Sequence, residues 1–414
     1  VSNKLNASLK KIEKITERSF REGYTSKQGK NSGKWSPGTR DTYCEMAKAC
    51  MRDIHQLYGI ADITKVQPEH VMGVIDRRIS GFQAGNTKEA SNVKTLIHAM
   101  HAVQNAAVKT GVFKKELNLI DKKAALQHCK ENDVRRKSSF STTYGANVKE
   151  CMQVLDNVKT MKSKLSEAAY HVGKITLLSA GRHAAVLKLT VKDIKIDVNR
   201  GTVEFLGDKG NKDNTAYLVG KETATYFKSL TEGKDPKQNL FTITNQRGVK
   251  KGEIKSARQI EREMNKIYAK AGAHLTKEVK TYIRVPNGKY RDKNGKEKTR
   301  WKKQTVTVTQ TFSHHSFRKG FASGRLMEYL GSSKTKIENE IARRIREDKK
   351  GIVKAKLDEV EKRRGRKLEL DEKAVFLTSL DLFHYREDIV TMFYTTHEEV
   401  QSYLKEIRNS RNAA

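Results

Sequence analysis

The sequence predicts a mainly α-helical protein with a small antiparallel β-sheet, arranged as two domains. Three observations predict it. Apolar residues recur at three- and four-residue spacing through most of the chain, the mark of one-sided helices. Strict alternation is confined to stretches near 194–219 and 279–311, each supplied with Gly and Asn turn residues. A polar, basic, Ser/Thr-rich stretch, DVRRKSSFSTT at 133–143, separates an all-helical first part from a mixed remainder. At 414 residues the chain is long enough for two domains, each with its own core.

The elements follow in order. Leu5, Leu9, Ile12 and Ile15 fall on one face of a first helix. A Gly/Ser/Lys-rich stretch at 23–33 interrupts, and Ser36-Pro37 reads as a helix start, Ser as N-cap and Pro at the first helical position. Helical patterns then run to about Leu57 and over 66–79, 90–110 and 114–130, so 1–132 is expected to be a helical bundle. After a linker at 133–146, helical periodicity resumes at 148–179. Residues 194–198 and 202–206 alternate, 215–219 is β-prone, and GDKGNKDN at 207–214 supplies a hairpin turn. A helix is expected within 252–272. The stretch PNGKYRDKNGKEKTRWKK then carries two Asn-Gly pairs, a strong hairpin signal, and eight Lys/Arg fall within 289–303. Residues 317–330 read as helix, and the highly charged 333–373 as a solvated helix pair broken at Arg364-Gly365. The chain from 377 onward reads as helix, ending in an apolar stripe of Val400, Tyr403, Leu404 and Ile407. That stripe can pack on a neighbouring copy or on its own chain.

Lys plus Arg number 83 against 48 Asp plus Glu, a formal charge of +35. With an isoelectric point near 9.9 and a mean hydropathy of −0.73, this is a folded chain with a very basic, polar surface. Such a charge calls for a polyanion, and nucleic acid comes first, because Lys and Arg release counterions from phosphates. No run of about 18 apolar residues exists, so no membrane helix is expected. The first residues hold no apolar signal core. Cys44, Cys50, Cys129 and Cys151 form no CxxC pair and no zinc spacing, so a reducing, intracellular setting is expected, cytoplasmic or nucleoid-associated.

Four places carry candidate chemistry. His315 and Arg318 stand at i and i+3 and can share a helix face, aimed at one anion. Arg182 follows Ser179-Ala180-Gly181 between two apolar runs. A charge there is costly unless an anion or helix carbonyls meet it, and both readings stand. Lys209 and Lys212 occupy the tip of the first hairpin. Near the end, His384 precedes Tyr394, with Thr391 three residues before the tyrosine and His397 three after.

In that order, on a basic chain with a helical first part, these features resemble the tyrosine recombinases, the family of phage and mobile-element integrases and Xer-like resolvases. The resemblance spans about 147–397. It takes in the surroundings of Arg182 with Leu187, Leu189 and Asp193-Ile194, the KGNK turn, and Leu240-Phe241 followed by Arg247-Gly248. It also includes the helix end at 268–272 and the segment HSFRKGFAS.

The resemblance implies a helical core-binding domain (1–132) and a mixed α/β catalytic domain (147–414) closing on duplex DNA as a C-shaped clamp. Insertions are expected at 279–311 and 333–373. It implies a site-specific recombinase that cuts and rejoins DNA through a 3′-phosphotyrosyl intermediate and a Holliday junction, with no metal, ATP or other cofactor. Tyr394 would be the nucleophile, and Arg182 and Arg318 the phosphate clamp. His315 would be the base, Lys209 the general acid with Lys212 its competitor, and His384 a donor to the phosphate. DNA contacts are expected from Lys212, from Arg135, Arg136 and Lys137 in the linker, and from Lys289, Arg291, Arg300 and Lys302 on the basic hairpin. The partners implied are double-stranded DNA, a homo-oligomer (a tetramer, or a dimer) and an accessory DNA-bending factor. No membrane partner and no separate arm-binding domain are expected.

The chain departs from the family pattern in two places. Ala185 stands where a Glu or Asp is common, and His384 lies one residue further from the tyrosine than usual. The alternatives are a telomere resolvase that makes hairpin ends, a type IB topoisomerase, a non-catalytic architectural DNA-binding protein and an RNA-binding basic protein.

Overall fold

The structure is a computed structural model. It describes residues 3–22, 37–83, 87–132, 134, 141–196, 200–208, 212–245, 251–255, 257–291, 293–295, 297–348, 350–385 and 387–413. The chain divides into two compact units, 1–140 with 280–307, and 141–279 with 308–414.

The first unit is helical apart from its share of one hairpin. Its helices are α1 (Asn3–Glu22), α2 (Pro37–Tyr58), α3 (Pro68–Gln83), α4 (Thr87–Ala106) and α5 (Lys122–Glu131). Pro37 opens α2 as the sequence predicts, while Ser36 lies outside the described residues. Ile12 and Ile15 of α1 pack with Met51 and Ile54, Val71 and Ile75, and Ile97 and Met100 in one apolar core. The helix expected over 114–130 starts only at Lys122. Asp121 caps it by accepting from the N–H groups of Lys123 and Ala124. The Gln104 side chain holds the preceding loop, its Oε1 accepting from Leu119 and Ile120 N–H at 2.7 and 2.8 Å. Those bonds, reaching across 15 and 16 residues, outcompete helix propensity.

The second unit opens with α6 (Val148–Thr160) and α7 (Ser166–Ser179), two helices where the sequence suggested one. The one-turn α8 (His183–Val186) leads to β1 (Ile194–Ile196), β2 (Arg200–Asp208) and β3 (Lys212–Val219), an antiparallel sheet in the order β1-β2-β3. After α9 (Lys221–Thr231) and α10 (Ala257–Ala271) comes the long hairpin β4 (Thr276–Arg291) and β5 (Glu297–Thr311). Of its two Asn-Gly pairs only Asn294-Gly295 makes the turn, with Gly295 at φ 72°. Gly288 takes φ 81° within β4. The rest is α11 (His314–Leu330), α12 (Lys334–Glu347), α13 (Ile352–Arg364), α14 (Leu370–Asp381), the short α15 (Glu387–Ile389) and α16 (Glu398–Ala413).

Helix α11 is the central element of this unit. Residues 316–323 are all buried, and a Cβ added at Gly320 would stand 2.5 Å from Cys151 Sγ, so glycine there lets α6 approach. The stretch 333–373 departs from the solvated pair expected. Arg343 does pair with Glu340 and Glu347 along the face. Yet Ile337, Ile341, Val353 and Val360 are buried in a second apolar core of this unit. Asp381, at the end of α14, receives Arg325 Nε at 2.9 Å, Arg344 Nη2 at 2.5 Å and the Tyr329 hydroxyl at 2.9 Å. A buried carboxylate with three donors stays charged, and both arginines lower its pKa further. Tyr217 of β3 stacks under Arg343 and Arg344 at 4.7 and 4.2 Å.

The continuous helix expected after 377 is also broken. Phe383 and Tyr385 take left-handed φ of 57° and 54°, and α15 runs into a π-helical turn, Val390–Tyr394. Val400 and Leu404 of α16 are buried in their own chain's core, so the C-terminal stripe packs in cis. Among the described residues no helix is long and apolar enough to cross a membrane.

Candidate active site

Arg318, one helical turn into α11, is 1% exposed. Its Nη1 donates to Ala180 O at 2.6 Å, and Nη2 donates to Leu382 O. Ala180 is the left-handed end of α7 (φ 56°), two residues before Arg182. Leu382 ends α14, two residues before His384. One guanidinium therefore ties together the two irregular junctions that carry Arg182 and His384. Arg182 itself is the half-buried residue preceding α8, at φ −68° and ψ 141°.

Tyr394 closes the π-helical turn, 6% exposed. Its ring lies over Arg318 Cζ at 5.5 Å. Its hydroxyl stands 2.8 Å from His384 Nε2, and the His315 ring is centred 5.3 Å from the tyrosine ring. Four residues singled out in the sequence, His315, Arg318, His384 and Tyr394, thus meet at one place, and Arg182 is linked to them through the Ala180 carbonyl. The left-handed residues and the π-turn bring the side chains of His384 and Tyr394, 10 residues apart, into hydrogen-bond reach.

Burial, then the charges of Arg318 and His314, push the His315 pKa down to about 3, so its imidazole is neutral near pH 7. His314 points elsewhere: its Nδ1–H donates to Asn265 Oδ1 at 2.7 Å, and burial lowers its pKa to about 4. Beside it, 4.9 Å away, lies His183, 3% exposed, with neither ring nitrogen bonded among the described residues. Burial, then His314, lowers His183 to about 3. Lys319 is as buried as Arg318, and burial brings its pKa down to about 8.

His183 makes acid sensitivity a measurable consequence. An unfolded histidine titrates near 6.5, so between pH 6.5 and 3 the unfolded chain holds the extra proton. Stability is then full above pH 6.5 and falls as pH drops through that window. Lowering the pH from 7.5 to 5 should cost about 2 kcal/mol through His183 alone. His183→Leu should lose that much less over the same interval, read by urea unfolding at the two pH values.

The remaining candidates are placed differently. Lys209 and the linker residues Arg135, Arg136 and Lys137 lie outside the described residues. Lys212 opens β3, its backbone in register with Asp208. Lys289, Arg291, Arg300 and Lys302 are exposed on the β4-β5 hairpin, where Lys289 pairs with Glu297 at 2.8 Å and Arg300 stacks over Tyr290 at 5.9 Å. Ala185 is buried in α8. The sequence reading missed Lys319 and His183. The signal for both was a titratable residue beside a candidate arginine and against apolar neighbours.

No known family's sequence profile matches the chain, and no curated protein matches it. Among solved structures it is similar to the XerH site-specific recombinase bound to its palindromic difH substrate in a post-cleavage complex. That pair is 12% identical, the match covers 99% of this chain and 98% of that one, and the TM-score is 0.43. It is also similar to the Tn1549 transposon integrase in complex with a circular-intermediate DNA, at 12% identity, 95% and 98% coverage and a TM-score of 0.40. A third is the integrase from mycobacterium phage Brujita, at 11% identity, 94% and 96% coverage and a TM-score of 0.29.

Proposed function

We propose that this chain is a tyrosine-type site-specific DNA recombinase or integrase. The observation that carries the reading is the Tyr394 hydroxyl held on His384, with the Arg318 guanidinium under its ring and a neutral His315 beside it. In this reading the Tyr394 oxygen attacks the scissile phosphorus and passes its proton to His315. A 3′-phosphotyrosyl bond forms as the bond to the 5′-oxygen breaks. Arg182 and Arg318 meet the non-bridging oxygens, whose charge grows in the transition state. Lys209 or Lys212 protonates the departing 5′-oxygen, and His384 donates to the phosphate. The phosphotyrosyl link conserves the phosphodiester energy, so a 5′-hydroxyl from a second strand can reverse the step and exchange strands through a Holliday junction. The charge of +35 fits a polyanionic partner, in this reading double-stranded DNA, worked on by a homo-oligomer, a tetramer or a dimer. The place of work in this reading is the cytoplasm or nucleoid, wherever that DNA lies.

The test is a nicked suicide duplex taken from the DNA flanking the element, incubated with the protein in EDTA and run on a denaturing gel. A covalent protein–DNA adduct supports the reading. Tight duplex binding without an adduct points instead to an architectural DNA-binding protein, and sequencing of the products separates recombinase from telomere resolvase or topoisomerase.

The basic hairpin belongs to the same reading, meeting phosphates beyond the core site. Deleting 287–303 should weaken duplex binding and flatten its salt dependence, by roughly 0.9 in the log–log slope for each phosphate that is no longer neutralised. An unchanged affinity over a salt titration rules out a role for the hairpin in binding DNA.

A further inference from the structure

Helix α11 carries two consecutive buried cations, and only Arg318 has a place in the chemistry above. Lys319 reaches away from it. Its Nζ donates to Thr143 O at 2.8 Å, Ser141 Oγ at 3.3 Å and Thr396 Oγ1 at 3.4 Å. None of these acceptors is a carboxylate. An ammonium is costly to bury and stays only where such bonds compensate it.

The acceptors lie on two different pieces of chain. Thr396 stands two residues beyond Tyr394. Ser141 and Thr143 lie at the end of the stretch that links the helical first part to the rest. The two pieces touch directly as well. A Cβ on Gly145 would stand 2.2 Å from Thr396 Oγ1 and 3.2 Å from its carbonyl carbon, so only glycine permits the approach. The 141–144 piece is itself anchored. Tyr144 N–H donates to Thr311 O, Thr311 N–H donates to Thr142 O, both at 2.9 Å, and Gln310 Nε2 donates to Ser141 O at 3.0 Å. A second link runs parallel, from His397 to Glu150 at 3.5 Å.

We propose that Lys319 is a positioning residue for the nucleophile: by pinning Thr396 to the 141–145 segment it fixes the backbone on which Tyr394 stands and makes the placement of the hydroxyl depend on the end of the linker. The inference rests on the reading of Tyr394 as the nucleophile. It gives α11 two neighbouring jobs. Arg318 lies against the tyrosine ring, and Lys319 holds the chain two residues beyond it.

Thr396→Val is the sharpest probe, because it removes only the hydroxyl on the tyrosine side and leaves Lys319 bonded to Thr143. Single-turnover cleavage of the nicked suicide duplex should slow on the order of tenfold, with the Kd for the same duplex within about twofold of wild type. Lys319→Met should slow cleavage by ~10²-fold, again with little change in Kd, and Lys319→Arg should recover part of the rate. Adding Thr396→Val to Lys319→Met should slow cleavage no further, because the hydrogen bond the two residues share is already broken. Should Lys319→Met fail to fold, Thr396→Val and Lys319→Arg decide. Thr396→Val cleaving at the wild-type rate overturns the proposal, as does a Kd that worsens in step with the rate. A wild-type protein that forms no adduct is a different failure, that of the recombinase reading itself.

Discussion

Tyr394→Phe should form no covalent adduct with a nicked suicide duplex while binding that duplex as tightly as the wild type. The substitution removes one oxygen. The ring stays over Arg318, and its packing in the second apolar core is kept. What goes is the hydroxyl 2.8 Å from His384, a hydrogen bond worth about 1 kcal/mol of stability. Folding and affinity should therefore survive. If Tyr394 supplies the attacking oxygen, cleavage falls to background, a loss of at least ~10³-fold given what removal of a nucleophile costs elsewhere. An adduct persisting in Tyr394→Phe would transfer the chemistry to another residue. The gel lanes to compare are wild type and variant at matched occupancy, set by a salt-controlled binding titration.

Arg318 should be the most damaging position after the tyrosine, and for two separable reasons. Its guanidinium satisfies the carbonyls of Ala180 and Leu382 in a buried place. Arg318→Ala leaves both without donors, at about 1–3 kcal/mol each, so its unfolding midpoint should drop sharply. Arg318→Lys keeps the charge but not the planar fork, so it can serve one carbonyl and no longer two. We expect Arg318→Lys to fold, with a modest loss of stability, and, in the mechanism proposed above, to cleave at least ~10²-fold more slowly, because it loses the planar fork assigned to the developing phosphate charge. Urea unfolding and single-turnover cleavage on the same preparations read the two effects apart. Wild-type cleavage by Arg318→Lys would leave the arginine a purely structural role.

The sequence made the helical content, both hairpins and the core positions of α1 legible, because those rest on periodicity and turn chemistry that act over a few residues. It failed where long-range partners decide. The loop before α5 follows from the reach of Gln104 to Leu119 and Ile120, which no local pattern announces. The charged stretch 333–373 looked solvated because its apolar residues are sparse, yet Asp381 draws Arg344 of α12 inward from 37 residues away. The site was legible as an ordered set of residue types, and His315, Arg318, His384 and Tyr394 do converge. How they converge was not. The left-handed Phe383 and Tyr385 and the π-turn have no sequence signature, and they are what carry His384 to the tyrosine hydroxyl. Lys319 was overlooked because a lysine in a basic chain draws no notice until its burial is seen.

The ties made by Arg318 also bear on synthesis. It bonds a carbonyl 138 residues upstream and another 64 residues downstream, so neither local folding nor any single stretch of chain can complete the arrangement. Pairings so far apart form late, after loop closure has been met by the rest of the unit. A polypeptide emerging from the ribosome carries Arg182 and then Arg318 long before Tyr394 appears. Chains truncated ahead of the last few dozen residues therefore hold both arginines without Tyr394. In the recombinase reading proposed above, this order of appearance supplies the attacking oxygen last.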